Sequence, residues 1–157
     1  NSTSSKVIQF IQQQLAQVGI KTETRILEAG QRVSLVEANK VPSESPNRLY
    51  YIGWSSSTGE LDWALRPLLA TASWAPVAGN YGFYSSKVLD DSFTKALLTT
   101  DRAEKTKLYN AGQDAIWNDA PWIFLINEQN VSAKVKNLKK FYVQPDAGFD
   151  YYEAELD

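Results

Sequence analysis

The sequence contains no histidine, no cysteine and no methionine. The absence of histidine excludes a Ser-His-Asp triad and any histidine-ligated metal site within this chain. The absence of cysteine also excludes thiol catalysis, disulfides and thiolate metal centres, and with histidine missing too we expect no haem ligation. Because not even the first residue is a methionine, we expect a piece or a processed product of a longer protein. These absences favour binding over catalysis, with neither a metal nor a cofactor.

Charge and hydrophobicity narrow the possible partners. The 157 residues carry a formal net charge of −2 and no basic face stands out, so nucleic acid and anionic membranes are poor partners. No apolar run approaches the roughly 20 residues that are needed to span a bilayer. The hydrophobic fraction of 43% and the aromatic fraction of 12% are typical of a globular domain that can grip organic ligands.

Helical and strand patterns alternate along the chain, which predicts the α/β class with a mixed sheet flanked by helices. Apolar residues three and four positions apart predict a first helix that is closed by Gly19. Alternating and β-branched residues predict strands over 20–28 and 49–54. Residues 122–126 are continuously apolar and predict a strand that is buried on both faces.

Capping signals predict two consecutive helices in the second half of the chain. Ser86 can cap the first of them, and Asp101 with Glu104 has the spacing of a capping box for the second. The predicted core positions are Leu89, Phe93 and Leu97 in the first helix and Leu108, Ala111, Ala115 and Ile116 in the second. We also expect Trp117 and Trp122 to pack in the interior.

The run from Tyr50 to Trp63 is the most informative stretch of the chain. Its strand-forming residues end in three serines and a threonine, after which Gly59 and Glu60 turn the chain. Asp62 can then cap a helix that begins at Trp63. Hydroxyl groups, backbone amides and indoles therefore gather at the C-terminal end of a strand, which is where ligands bind in open α/β sheets.

Five segments follow one another in a recognisable order: QLAQVGIKTETRILE, YIGWSSSTGELDW, NYGFYSSKVLDDSFTKAL, TTDRAEKTKLYNAGQDAIWNDAPWIFLIN and KNLKKFYVQPDAG. Together they resemble the C-terminal lobe of the periplasmic dipeptide/oligopeptide-binding proteins, extracellular solute-binding family 5. The resemblance extends from about Lys6 to Asp157. Around GWSSSTGELDW the sequence is most similar to the members that bind glutathione.

The resemblance implies an organisation and a set of partners. Members of the family have two lobes that close around the ligand by hinge motion. Residues 1–141 are then the C-terminal ligand-binding lobe, and residues 142–157 are a tail that packs on the missing N-terminal lobe. The implied ligand is glutathione or a similar short peptide, captured in the periplasm. The implied receiver is the membrane permease of an ATP-driven importer.

The resemblance also implies which residues contact the ligand. Many members hold a peptide ammonium with an aspartate in the serine-rich loop, but Ser57 occupies that position here, which favours a ligand carboxylate or peptide group. The expected ligand-binding residues are Trp54, Ser55, Ser56, Ser57, Asp62, Trp63, Asn80 and Tyr81. The alternative for each is structural: a core tryptophan, a helix cap, or a turn with solvated hydroxyls.

Two other functions stay open at this point. The run Gly53–Ser57 nearly matches the nucleophile elbow of serine hydrolases, but it lacks the final glycine, and the chain has no histidine base. Activity on esters or peptides that Ser55→Ala abolishes would identify such a hydrolase. The second alternative is an interaction module in which the aromatic tail and a lysine-rich face dock a protein. That alternative predicts no small-molecule site.

Overall fold

The computed structural model describes residues 2–127, 129, 131–144 and 148–157. The chain divides into two compact units, the first formed by Asn1–Trp54 with Arg66–Ser86 and the second by Ser55–Leu65 with Lys87–Asp157. The α-helices of the described residues are α1 (Ser2–Gln17), α2 (Ala29–Arg32), α3 (Leu61–Leu69), α4 (Lys87–Leu98) and α5 (Arg102–Asp119). Shorter helical turns cover Val33–Glu37, Pro42–Glu44 and Thr71–Ser73.

Helix α1 follows the apolar spacing of the sequence and ends as predicted. Gly19 adopts a left-handed φ of 83°, a conformation that costs glycine little. The N–H of Ile20 then donates to the carbonyl of Leu15 over 2.9 Å, which satisfies one of the last carbonyls of the helix. The predicted first helix and its glycine cap are confirmed.

In the second unit, α5 packs against α4. Asp101 is the N-cap of α5, and its carboxylate accepts a 2.7 Å hydrogen bond from the backbone N–H of Glu104, as predicted. Ala120 ends α5 in the left-handed region with a φ of 47°, one residue before Pro121. The predicted cap is therefore confirmed at the start of this helix, and a left-handed residue followed by proline ends it.

The core between these two helices differs from the prediction by about one residue in register. Leu89 and Phe93 are buried as expected, whereas Leu97 is exposed. The buried residues are Leu89, Ser92, Phe93 and Ala96 on α4 and Tyr109, Gly112 and Ile116 on α5, so Leu108, Ala111 and Ala115 are not the core positions that were predicted. Gly112 explains the shift, because its missing side chain lets α5 approach the ring of Phe93.

The described strands are short and antiparallel. They are β1 (Leu138–Lys139), β2 (Tyr142–Val143), β3 (Phe149–Asp150) and β4 (Glu155–Leu156), with β1 paired to β4 and β2 to β3. Ion pairs join Lys139 to Asp157 over 3.4 Å and Lys140 to Glu155 over 3.1 Å. The end of the chain thus folds back on residues 138–144, and docking of 142–157 on another lobe stays a prediction.

The predicted strands over 20–28, 49–54 and 122–126 are wrong, since none of these segments pairs with a strand in the part of the chain that the structure describes. A strand is stable only within a ladder of hydrogen bonds to a neighbour, and the described residues supply no neighbour here. The expected burial of 122–126 is also wrong, since Ile123 is 75% exposed. Trp117 is equally exposed and contributes no packing of the kind that was predicted.

Candidate functional site

The residues predicted to bind a ligand divide between the two compact units. Trp54, Asn80 and Tyr81 belong to the first unit, and Ser55, Ser56, Ser57, Asp62 and Trp63 belong to the second. The boundary falls directly after Trp54, within the run that the sequence singled out.

Trp54 and Tyr81 line one pocket of about 350 Å³ in the first unit, which we call the Trp54 pocket. Its walls are mostly apolar, and they combine residues before α3, residues on α3 and residues of the loop that follows. The lining residues are Glu37, Ile52, Trp54, Pro67, Leu68, Pro76, Ala78, Gly79 and Tyr81. A largely apolar cavity with a few polar groups is the usual form of a small-molecule site.

Gly79 brings the loop onto the end of α3 and so closes one wall of the Trp54 pocket. Its N–H donates to the carbonyl of Pro67 over 2.9 Å. A Cβ at this position would come within 2.7 Å of Leu68 Cδ2, so a larger residue would have to displace the buried Leu68 side chain. The local sequence Ala-Gly-Asn-Tyr therefore sets the distance between Tyr81 and the helix.

A network of four polar side chains borders the pocket. Arg32 Nε lies 2.8 Å from Glu37 Oε1, and Arg32 also hydrogen-bonds the oxygen of Tyr50. The Tyr81 hydroxyl donates to the Glu37 carboxylate, and the rings of Tyr50 and Tyr81 meet edge to face at 5.7 Å. The four residues thus form a closed circuit of contacts.

The network shifts the titration of both phenols in the same direction. Burial raises the pKa of Tyr50 above its ordinary value of 10.0, against an opposing effect of the Arg32 guanidinium. Burial also raises the pKa of Tyr81, and the negative charge of Glu37 adds to that increase. Both phenols are therefore neutral hydrogen-bond donors at physiological pH.

Asn80 lies next to Tyr81 but is used differently. Its side chain is 1% exposed, and its amide nitrogen donates to the carbonyls of Ala70 and Tyr84 over 3.0 and 2.9 Å. Its amide oxygen accepts from the N–H of Tyr84 over 3.1 Å. The structure thus places Asn80 beneath the loop that carries Tyr81, where it holds the loop in shape. Direct contact of Asn80 with a ligand stays a prediction.

In the second unit, the serine-rich turn is held by its own hydroxyls. The Ser56 hydroxyl donates to the carbonyl of Glu60 over 3.0 Å, and the N–H of Glu60 donates to the Thr58 hydroxyl over 3.2 Å. Ser55 and Ser57 are exposed. For Ser56 the structural alternative therefore holds, because its hydroxyl closes the turn. The hydroxyls of Ser55 and Ser57 lie at the surface.

Asp62 and Trp63 lie in the first turn of α3, which begins two residues earlier than predicted, at Leu61. Asp62 is therefore inside the helix and not its cap, although a carboxylate in a first turn still interacts favourably with the helix dipole. Trp63 is 46% exposed, so it is not a core residue. Its indole is exposed, and its contact with a ligand stays a prediction.

A second groove of about 440 Å³ lies in the second unit near the end of the chain. It is lined by Val131, Ser132, Ala133, Phe141, Phe149 and Tyr151, and the rings of Phe141 and Phe149 stack with centroids 5.8 Å apart. None of these lining residues is charged, and none was predicted to bind a ligand. The Trp54 pocket is therefore the better candidate for a small-molecule binding site, because its lining includes a charged side chain.

Two absences within the described part of the chain bear on the type of site. Among residues 2–127, 129, 131–144 and 148–157, no three histidine, cysteine, aspartate or glutamate side chains are grouped to hold a metal ion. Within the same part of the chain, no helix is both long and apolar enough to cross a membrane.

The site includes three residues that were not predicted: Arg32, Glu37 and Tyr50. The first two are five positions apart, and charged pairs on an α-helix interact at three or four. They meet because Val33–Glu37 forms a π-helical turn, in which the N–H of Ala38 donates to the carbonyl of Val33 over 2.9 Å. No signal in the sequence marked that turn.

Comparisons with known proteins locate the chain in a family. It is 55% identical over 156 residues to the glutathione-binding protein GsiB of Pectobacterium atrosepticum and 53% identical over 156 residues to that of Escherichia coli K12. Each match covers 99% of this chain, and the chain spans 30% of the length of each relative. No family model matches the chain.

A solved structure agrees with these relatives. The periplasmic binding protein DppA of Helicobacter pylori, which is associated with an ABC transporter and was solved with the peptide STSA, matches with a TM-score of 0.61 and 30% identity. The match covers 74% of this chain and 22% of DppA. It confirms the predicted fold class, a helix-and-sheet segment of a periplasmic binding protein. The predicted resemblance is confirmed with it: this chain is homologous to part of the glutathione-binding proteins and to part of a periplasmic peptide-binding protein.

Proposed function

We propose that this chain is a ligand-binding lobe of a periplasmic solute-binding protein that captures glutathione or a similar short peptide for an ABC importer. The observation that carries the proposal is the Trp54 pocket, which combines apolar walls with a carboxylate and a phenol in a chain 55% identical to a glutathione-binding protein. The membrane permease and an N-terminal lobe of the same protein are the partners that the proposal includes.

The mechanism is binding without a chemical step. Apolar and aromatic walls exclude water, and a small number of hydrogen bonds orient the ligand. A ligand group left without its partner in such a site costs on the order of 1–3 kcal/mol, so ligands with misplaced polar groups are rejected. Closure of two lobes around the ligand then stabilises the closed state, which is the form that an importer would recognise.

A serine hydrolase is the less favoured alternative. The Ser56 hydroxyl already donates to the carbonyl of Glu60, and the chain contains no histidine to activate Ser55 or Ser57. The relatives that match the chain are described as binding proteins. Hydrolysis of generic esters that disappears in Ser55→Ala would contradict the proposal.

The proposal can be tested in a chimera. This chain would replace the matching segment of the Pectobacterium atrosepticum relative, which it covers over 156 residues. Calorimetric titration of the chimera with glutathione, a plain dipeptide and a tetrapeptide should show binding of glutathione above the other two. Preference for ordinary peptides would retain the binding role and change the ligand, and no binding of any of the three would contradict the function.

Two substitutions in the same chimera test which residues contact the ligand. Trp54→Ala together with Ser57→Ala should weaken glutathione binding at least tenfold, which corresponds to about 1.4 kcal/mol. Trp117→Ala is the matched control, because Trp117 is 75% exposed on α5 and lies outside the Trp54 pocket. Equal affinities for both variants would show that the ligand binds elsewhere.

A further inference from the structure

The Trp54 pocket contains one formally charged side chain among its nine lining residues, the carboxylate of Glu37. Glu37 lines the pocket together with two aromatic residues, Trp54 and Tyr81. An acidic group beside aromatic rings is the combination with which proteins recognise ammonium ions, because both attract a cation and both are poor partners for an anion. The composition of the pocket therefore indicates the charge of the group that enters it.

The position of Glu37 is fixed on two sides. Arg32 Nε contacts its Oε1 at 2.8 Å, and the Tyr81 hydroxyl donates to the same carboxylate. An ionised carboxylate offers about four lone-pair sites, so these two donors leave it able to accept further hydrogen bonds. Its side chain is 26% exposed, which leaves it accessible to a ligand.

Arg32 offsets the negative charge of Glu37 but does not itself line the pocket. It contacts Glu37 and Tyr50, but it is absent from the residues that line the cavity. The ion pair is close to neutral as a whole, and Glu37 is its member that lines the pocket. A ligand ammonium in the pocket would therefore have an acceptor and aromatic rings as its neighbours.

Trp54 supplies a wall that suits this role. It is 47% exposed, so about half of its indole is available to a ligand in the first unit as described. Tryptophan is the aromatic residue that attracts cations most strongly. The neighbouring walls formed by Pro67, Pro76 and Ile52 would pack against the carbon atoms that carry the ammonium.

We propose that Glu37 and Trp54 bind the ammonium group of the captured solute and that Arg32 positions Glu37 for this role. This inference rests on the proposed function, which it extends by naming the end of the ligand that enters the pocket. Glutathione carries one ammonium group, on its glutamyl residue. N-acetylation removes the positive charge and leaves the two carboxylates, so the acetylated compound is a matched probe.

The test compares glutathione with N-acetylglutathione in the chimera by calorimetry. The unsubstituted chimera should bind glutathione at least tenfold more tightly than the acetylated compound. In Glu37→Gln that ratio should fall close to one, while the affinity for N-acetylglutathione should stay within about twofold, because glutamine still accepts from Arg32 and Tyr81. Glu104→Gln, an exposed substitution on α5, should keep the original ratio.

Each outcome separates the inference from the proposed function. Failure to bind either compound overturns the function and the inference with it. Binding of both compounds with equal affinity, or an unchanged ratio in Glu37→Gln, overturns the inference alone. Arg32→Gln tests the positioning role, since Glu37 loses its ion-pair partner and the ratio should fall toward that of Glu37→Gln. An unchanged ratio in Arg32→Gln would overturn the positioning role.

A second measurement uses the chain by itself. The indole N–H resonance of Trp54, assigned by its loss in Trp54→Phe, should shift on titration with millimolar glutathione and shift much less with N-acetylglutathione. The other indoles, including that of exposed Trp117, serve as internal controls. Equal shifts of the Trp54 resonance with both compounds would overturn the inference.

Discussion

Gly112 on α5 lies directly against the ring of Phe93 on α4, so closely that an added Cβ would be 2.5 Å from Phe93 Cε1. Phe93 is 1% exposed and its ring meets that of Tyr109 edge to face at 5.1 Å, so it has little room to move. We expect Gly112→Ala to destabilise the second unit by roughly 1–3 kcal/mol, because overpacking outweighs the better helix propensity of alanine. Urea unfolding followed by circular dichroism measures the change.

Gly30→Ala is the matched control for that substitution. Gly30 lies in α2, and nothing lies within 4 Å of the Cβ that alanine would add. Alanine should therefore be neutral or stabilise the chain by about 0.5–1 kcal/mol. An equal change in the free energy of unfolding for Gly112→Ala and Gly30→Ala would contradict the close approach of α4 and α5.

Asn80 should contribute to stability through hydrogen bonds. Asn80→Ala removes one hydrogen bond from each of the Ala70 carbonyl, the Tyr84 carbonyl and the Tyr84 N–H, while the two carbonyls keep the Ser73 N–H and the Trp74 indole as donors. Because three hydrogen bonds are lost at a buried position, we expect a loss of more than about 2 kcal/mol in the free energy of unfolding. Asn110→Ala, at an exposed position on α5, should change it little. A loss of similar size at both positions would contradict the role assigned to Asn80.

High pH should act on the first unit through its two partly buried phenols. The pKa values of Tyr50 and Tyr81 are raised in the folded chain above the ordinary value of 10.0. The stability that this shift contributes is present below about pH 10 and is lost as the pH rises through the folded pKa values. Absorbance at the phenolate band should therefore show a late phase of ionisation that accompanies unfolding.

Substitution assigns that late phase. It should shrink in Tyr50→Phe with Tyr81→Phe and persist in Tyr152→Phe, because Tyr152 is 94% exposed and lies outside the network. A late phase of unchanged size in the double variant would show that other tyrosines are responsible.

The exposed apolar segment at residues 122–126 should make the isolated chain self-associate. Ile123, Phe124 and Ile126 are 75%, 54% and 62% exposed, and contiguous apolar surface of this kind is a site of association. We expect Phe124→Lys to lower the sedimentation coefficient at high protein concentration. Val88→Lys, at a single exposed valine on α4, is the control and should leave association unchanged.

Local signals in the sequence were sufficient to predict those features of the structure that depend on residues close together along the chain. The glycine after α1 and the capping aspartate of α5 were predicted because each satisfies backbone groups within a few residues. The strands could not be predicted in the same way, since a strand depends on partners distant in the sequence. The register of α5 was missed because Gly112 was not recognised as a contact with Phe93.

The candidate site was predicted only in part, because some of its residues are brought together by contacts that local signals do not reveal. Trp54 and Tyr81 were identified from the resemblance, and the structure brings them together in one pocket. The charged member of that pocket, Glu37, was missed because it is brought there by a π-helical turn and by contacts with Arg32 and Tyr81. Such contacts are properties of tertiary structure and leave no periodic pattern in the sequence.

The two prolines in the wall of the Trp54 pocket have a thermodynamic consequence. Pro67 and Pro76 have ring-locked side chains, and the phenol of Tyr81 is already held by Glu37, so these three walls have few rotamers to lose. Side chains that must be ordered on binding lower the affinity that a site can reach. At these three walls that entropic loss is small, so their contribution to affinity should depend on how well the shape and charge of a ligand match them.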